Sequence, residues 1–128
     1  MPYLFPRKRE VLSIHAQLIQ AFGGTPGLRD ERALESALAA SENREHYENA
    51  DLAICAATYS YHLTQAHAFI DGNKRVAAAI SEIFLEINGS GLDATNQELV
   101  TLFLEIAAGK LTREHVEAFL KQRTVPST

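Results

Sequence analysis

The nine residues His67-Ala68-Phe69-Ile70-Asp71-Gly72-Asn73-Lys74-Arg75 hold a titratable base, a carboxylate, an amide and two cations. Apolar sequence flanks them on both sides. Polar groups this dense within core-like sequence are costly to bury unless they are paired or put to use. Gly72 interrupts the preceding pattern, and from Asn73 onward Ala77, Ile80, Phe84 and Ile87 recur at helical spacing. The stretch therefore reads as a loop feeding a helix N-terminus. Free N–H groups and the positive end of the macrodipole face such a loop, an arrangement that favours anions and phosphate in particular. Lys74 and Arg75 stand where the dipole disfavours a cation by about 0.3–1 kcal/mol each, which points to a bound anion. Asp71 is a hard oxygen ligand, suited to Mg²⁺ shared with substrate phosphates. His67, four residues earlier on the other limb of the loop, can accept a proton near neutral pH. A base, a metal carboxylate and an anion cradle are the parts of phosphoryl or nucleotidyl transfer.

The stretch resembles the Fic motif H-x-F-x-D/E-G-N-x-R. With Lys74 at the variable position, it is similar to the death-on-curing (Doc) branch of the Fic/Doc family. A second patch agrees: Phe22-Gly-Gly-Thr-Pro-Gly-Leu-Arg-Asp30, then Leu34-Glu-Ser-Ala-Leu38, resembles the early segment of Doc-like chains. The likeness runs over nearly the whole chain. It implies an all-α, Fic-type bundle of about six helices, with the active-site loop between two central helices. His67 would be the base that deprotonates a target hydroxyl, and Phe69 would anchor the loop in the core. Asp71 would hold Mg²⁺. Asn73, Lys74 and Arg75, with the backbone after Gly72, would hold the phosphates of ATP.

Two departures from the Fic pattern bear on the reaction. Adenylylating Fic enzymes usually have Gly where this chain has Lys74, and a second Arg where it has Ala78. A Lys side chain occupies space that Gly leaves open, and it cannot copy the bidentate phosphate grip of the missing Arg. In the Doc branch the same changes accompany a reversed nucleotide pose. The resemblance therefore implies a protein kinase that transfers the terminal phosphate, with a Thr of elongation factor Tu as the family's target. It also implies neutralisation by a Phd-like antitoxin carrying a short inhibitory helical segment, and contact with DNA only through that antitoxin. The alternatives are adenylyl transfer to a protein hydroxyl, or a catalytically weak chain acting mainly as a binding partner of the antitoxin.

The chain of 128 residues fits a single domain, residues 1–128. A chain this long buries roughly two-thirds of its unfolded surface. No apolar run approaches the ~20 residues of a membrane span, and no basic-then-apolar signal segment opens the sequence. The lone cysteine, Cys55, fits a reducing, cytoplasmic setting and lies among Ala and Ile, as a buried inert thiol would. A net charge of −4 argues against a general nucleic-acid binder.

Several elements must position the motif. Residues 1–6 read as an extended lead-in. Val11, Leu12, Ile14, Leu18, Ile19 and Phe22 follow helical spacing up to Gly23-Gly24. His15 lies on or beside that apolar face and reads as a packing histidine. Thr25-Pro26-Gly27 is turn chemistry, and Asp30 suits an N-cap for a helix carrying Leu34, Ala37 and Leu38. Arg29 either faces the site or pairs locally. Residues 41–49 are polar and read as a loop. Leu52 to Gln65 is apolar nearly all round, as a central helix is, and delivers His67. Tyr59, Tyr61 and His62 read as core before rim. The helix after the motif ends at Gly89-Ser90-Gly91, and its Ala77, Ala78 and Ala79 permit a close neighbour. Thr95-Asn-Gln-Glu98 is a capping box for a helix buried through Leu99, Leu102, Phe103 and Ile106 and closed by Gly109. Thr112 caps a last helix with Val116, Phe119 and Leu120. Residues after about 123 read as frayed, and no strand is expected. The plainer reading of the motif is a capped helix with solvated charges. The full string at fixed spacing favours catalysis.

Overall fold

The computed structural model describes residues 3–127. The readings for residues 1, 2 and 128 lie outside them. Six helices occur among the described residues: α1 Lys8–Phe22, α2 Glu31–Glu48, α3 Leu52–Ala66, α4 Asn73–Ile87, α5 Asn96–Ala107 and α6 Arg113–Arg123. Two short strands, β1 Ser90–Leu92 and β2 Thr124–Pro126, pair antiparallel. The architecture is the all-α bundle that the sequence implied.

α3 is the middle of that bundle. Its buried positions, Ala53, Cys55 to Ser60, Leu63 and Thr64, run round the helix rather than along one stripe. α4 crosses it closely because the residues at the crossing are small. Ser60 and Ser81 meet there with Oγ atoms 2.7 Å apart, each within hydrogen-bond distance of a carbonyl one turn back, of Ala56 and Ala77; one hydroxyl donates to its carbonyl and the other to its partner serine or its own carbonyl. Two buried hydroxyls are thereby satisfied without water. Tyr59 of α3 and Phe84 of α4 are fully buried with ring centroids 5.2 Å apart. The extended lead-in closes this cluster: Phe5 stacks on Phe84 at 5.3 Å, and Tyr3 meets it edge-on at 6.2 Å. Asn88, just beyond α4, holds Leu4 through both main-chain groups, at 2.8 and 2.9 Å.

Three expectations are corrected. Residues 41–49 are not a loop, since α2 runs to Glu48 and ends with Asn49 in the left-handed conformation. Polar composition misled here because this helix is stabilised by side-chain pairing. Ser41 Oγ donates to the Cys55 carbonyl at 2.9 Å, and Arg44 bridges Glu48 and Glu117 at 3.0 Å each. Residues 124–127 are not frayed, and strands do occur. Ser90, Gly91 and Leu92 pair with Pro126, Val125 and Thr124, and Ser127 N–H donates to the Gly89 carbonyl at 3.0 Å. Three-residue strands drawn from distant parts of the chain carry no alternation to read.

α5 and α6 start as expected, with capping boxes at Thr95 and Thr112. Leu102, Phe103 and Ile106 are buried, while Leu99 and Phe119 are half-buried. Burial pushes the Cys55 thiol up to about 12, so it stays protonated and inert.

The Arg123 guanidinium beside Glu98 is the main reason this carboxyl is pulled down to about 2, helped by the Thr95 N–H. A lowered folded value means stability present above the ordinary 4.5 and lost as pH falls through about 2. Glu98→Gln should therefore flatten the loss of melting temperature between those two pH values. An unchanged slope would show that the pair carries no pH-dependent stability.

Candidate active site

The chain leaves α3 through His67, at φ 49° and ψ 42°. Histidine tolerates this left-handed region better than most residues, but holding a non-glycine there costs about 1–3 kcal/mol and such strain gathers at functional sites. The turn sends Ala68, Phe69 and Ile70 out as an extended segment. That segment pairs with the turn after α1: Arg29 and Asp30 N–H donate to the Ala68 carbonyl at 2.7 and 2.9 Å, and Ile70 N–H donates to the Gly27 carbonyl at 3.1 Å. Arg29 Nε donates to the His67 carbonyl at 3.1 Å, so of the two readings for Arg29 the structure gives a main-chain contact at the site's edge. The Phe69 ring is buried, as an anchor should be. Gly72, at φ 78°, then reverses the chain into α4.

The Asp71 carboxylate is exposed but not free. Its Oδ2 accepts the Thr25 N–H at 3.0 Å and its Oδ1 accepts the Gly72 N–H at 2.8 Å. These donors, Thr25 first and Gly72 second, hold its carboxyl below the ordinary value, and Arg75 adds a smaller push in the same direction. No cation pairs with it among the described residues. Gly24 makes room for it: a Cβ there would lie 2.7 Å from Asp71 Oδ2, at a φ of +120° that side chains rarely adopt.

The Asn73 carboxamide is taken up within the loop. Its oxygen accepts the Phe69 N–H at 3.0 Å and its NH₂ donates to the Phe69 carbonyl at 2.9 Å. What Asn73 offers a ligand is therefore its main-chain N–H in the first turn of α4, a turn that no side chain caps. Arg75 donates from Nη1 to the Gly23 carbonyl at 3.0 Å, and its guanidinium lies 5.4 Å from the centre of the exposed Phe22 ring. Lys74 is exposed.

Asp71, Gly72, Asn73, Lys74 and Arg75 share one end of a cavity of about 430 Å³ between α4 and α5. Glu82 and Asn96 supply polar groups further along, and Leu99 and Phe103 form an apolar wall. Burial, with Glu86 nearby, raises the Glu82 carboxyl. His67 is not part of the lining; it stands exposed where α3 ends. The structure thus brings five of the six candidate site residues, Asp71 to Arg75, to one cavity and sets the histidine apart. Sequence reading did not foresee the roles of His15, Gly24, Thr25, Glu82 and Asn96. Gly24 was legible as a helix end and Thr25 as part of a turn, but the carboxylate they receive lies 46 residues beyond Thr25.

Mg²⁺ fits this donor set in one way. Among the described residues no group of three or more His, Cys, Asp or Glu could hold a metal ion. Asp71 offers one ionised carboxylate, so the remaining ligands would be phosphate oxygens and water, the way Mg²⁺ is usually held. Gly24→Ala should push Asp71 aside and weaken divalent-ion binding roughly 10–100-fold, the range for disturbing a ligand's support. Mn²⁺ titration with a non-hydrolysable ATP analogue measures this. Wild-type affinity in a folded variant would show that the carboxylate's placement does not matter.

Residues 5–85 match the Fic/DOC family. The chain is also 31% identical over 114 residues to "Protein kinase doc" of Escherichia phage P1, an alignment covering 88% of this chain and 90% of that protein. No helix among the described residues is long and apolar enough to cross a membrane. Motif, fold and overall similarity agree, and this chain belongs to the Fic/Doc family.

Proposed function

We propose that this chain is a Doc-like toxin that transfers the terminal phosphate of ATP to a Ser or Thr hydroxyl of a translation factor resembling elongation factor Tu. The observation that carries the reading is the Asp71 carboxylate, held ionised beside an uncapped helix N-terminus with Lys74 and Arg75 at the same end of a cavity. Phosphoryl transfer asks mainly for positioning and neutralised charge, and these groups provide both. Asp71 would hold Mg²⁺, which when bound neutralises charge on the phosphates. The N–H groups after Gly72, with Lys74 and Arg75, would hold the phosphate oxygens. His67 would take the proton as the incoming oxygen bonds to phosphorus, while the bond to the departing ADP oxygen breaks. Its exposure suits a base that must reach a second protein.

Terminal-phosphate transfer is preferred to adenylyl transfer because Lys74 and Ala78 both line this cavity. The first would fill space near the phosphates, and the second would leave out an Arg grip. The similar phage protein is named a kinase. The same reading gives the chain a cytoplasmic setting and an antitoxin partner that inhibits in trans.

His67→Ala should lower transfer from labelled ATP to purified elongation factor by roughly 10²–10⁴. It should also abolish growth arrest when the chain is expressed without an antitoxin. Near-normal transfer would remove His67 from the mechanism. Intact-mass measurement of the modified target identifies the group moved, and an adenylyl increment would overturn the kinase assignment. A wild-type chain harmless on its own would favour the binding-partner reading.

A further inference from the structure

α1 turns three buried residues inward, Val11, His15 and Ile19. Two are aliphatic and the third is a histidine only 4% exposed. An aliphatic side chain would fill that position at lower desolvation cost, so the imidazole should have a polar task. The task is visible in the contacts. Its Nε2 lies 2.7 Å from the main-chain oxygen of Asp71. A carbonyl oxygen only accepts, so Nε2 carries the proton and donates. The ring is fixed in turn by stacking on Phe69, with centroids 3.8 Å and planes 14° apart. Gly72 keeps the approach open, since a Cβ there would meet His15 Nε2 at 3.4 Å and Ile19 Cδ1 at 3.2 Å.

The oxygen that His15 grips belongs to the peptide joining Asp71 to Gly72. That unit is planar, so fixing its oxygen fixes its N–H at the other edge. The Gly72 N–H is the group that donates to Asp71 Oδ1. The imidazole therefore sets the carboxylate through one rigid peptide plane. His15 is not among the residues lining the cavity.

We propose that His15 is a positioning residue for the transfer reaction. It locks the Asp71–Gly72 peptide so that the plane's N–H aims the Asp71 carboxylate. The link to catalysis rests on the reading of Asp71 as a metal ligand given above; the lock itself does not.

His15→Phe keeps the ring and its stacking and removes the donor. His15→Gln keeps a donor that can reach the same oxygen. In the nucleotide-free protein, amide exchange at Gly72 should be about tenfold faster or more in His15→Phe, as expected where a part-buried acceptor loses its partner, and near wild type in His15→Gln. In the transfer assay the Phe variant should lose roughly 10–100-fold in kcat and need more Mg²⁺ for half-maximal rate, with Gln restoring most of both. If the Phe variant does not fold, His15→Asn, too short to reach the carbonyl, takes its place. Unchanged Gly72 exchange in the donor-less variant overturns the proposal, and so does a Gln variant as impaired as the Phe variant. A wild-type protein with a protected Gly72 amide but no transfer activity would sink the kinase reading and leave the peptide lock standing.

Discussion

A carboxylate on a solvent-facing loop is ordinarily free to rotate and takes a proton near its usual range. At Asp71 two main-chain N–H groups remove both freedoms, one from the turn after α1 and one from the residue that opens α4. Hydrogen bonds to the charged form favour that form, so the group is an anion whose direction is set before any ligand arrives. The rest of the site follows from this constraint. Gly24 must lack a side chain, Gly72 must adopt a positive φ, and α1 must lie close enough for His15 to reach the loop.

The bundle supplies that precision through its least polar part. α3 and α4 cross at small residues, and the crossing is tied by a pair of buried serines and an aromatic cluster. The loop joining these helices is therefore short and held at both ends. The Asn73 carboxamide closes its inner side against Phe69, and the segment after His67 pairs with residues 27–30. A site built between rigid helices and tied by main-chain bonds keeps its geometry better than one on a free loop. His67 is the exception, exposed at a strained turn where a second protein can approach.

How far the sequence could be read depended on whether the cause was local. Asp30, Thr95 and Thr112 act on residues three positions away, and each caps the helix expected of it. The motif string, with its spacing intact, named Asp71 to Arg75, which gather at one end of the cavity, and also His67, which stands outside it. What could not be read is what crosses the chain. His15 has the spacing of a core residue, and nothing near it signals that it bonds a carbonyl 56 residues away. Asn73 carries a ligand-binding expectation through the motif, whereas its amide is occupied four residues back. Polar residues 41–49 read as loop because pairing of Arg44 with Glu117 depends on α6 arriving beside α2. β1 and β2 are too short for any pattern.

The most direct test is a carbon-detected NMR titration of the Asp71 carboxyl in the metal-free, nucleotide-free protein. Two main-chain donors on the charged form predict a midpoint clearly below the ordinary 3.8. A midpoint at or above that value would mean that the carboxylate is not held as described, and the account of the site would fail with it.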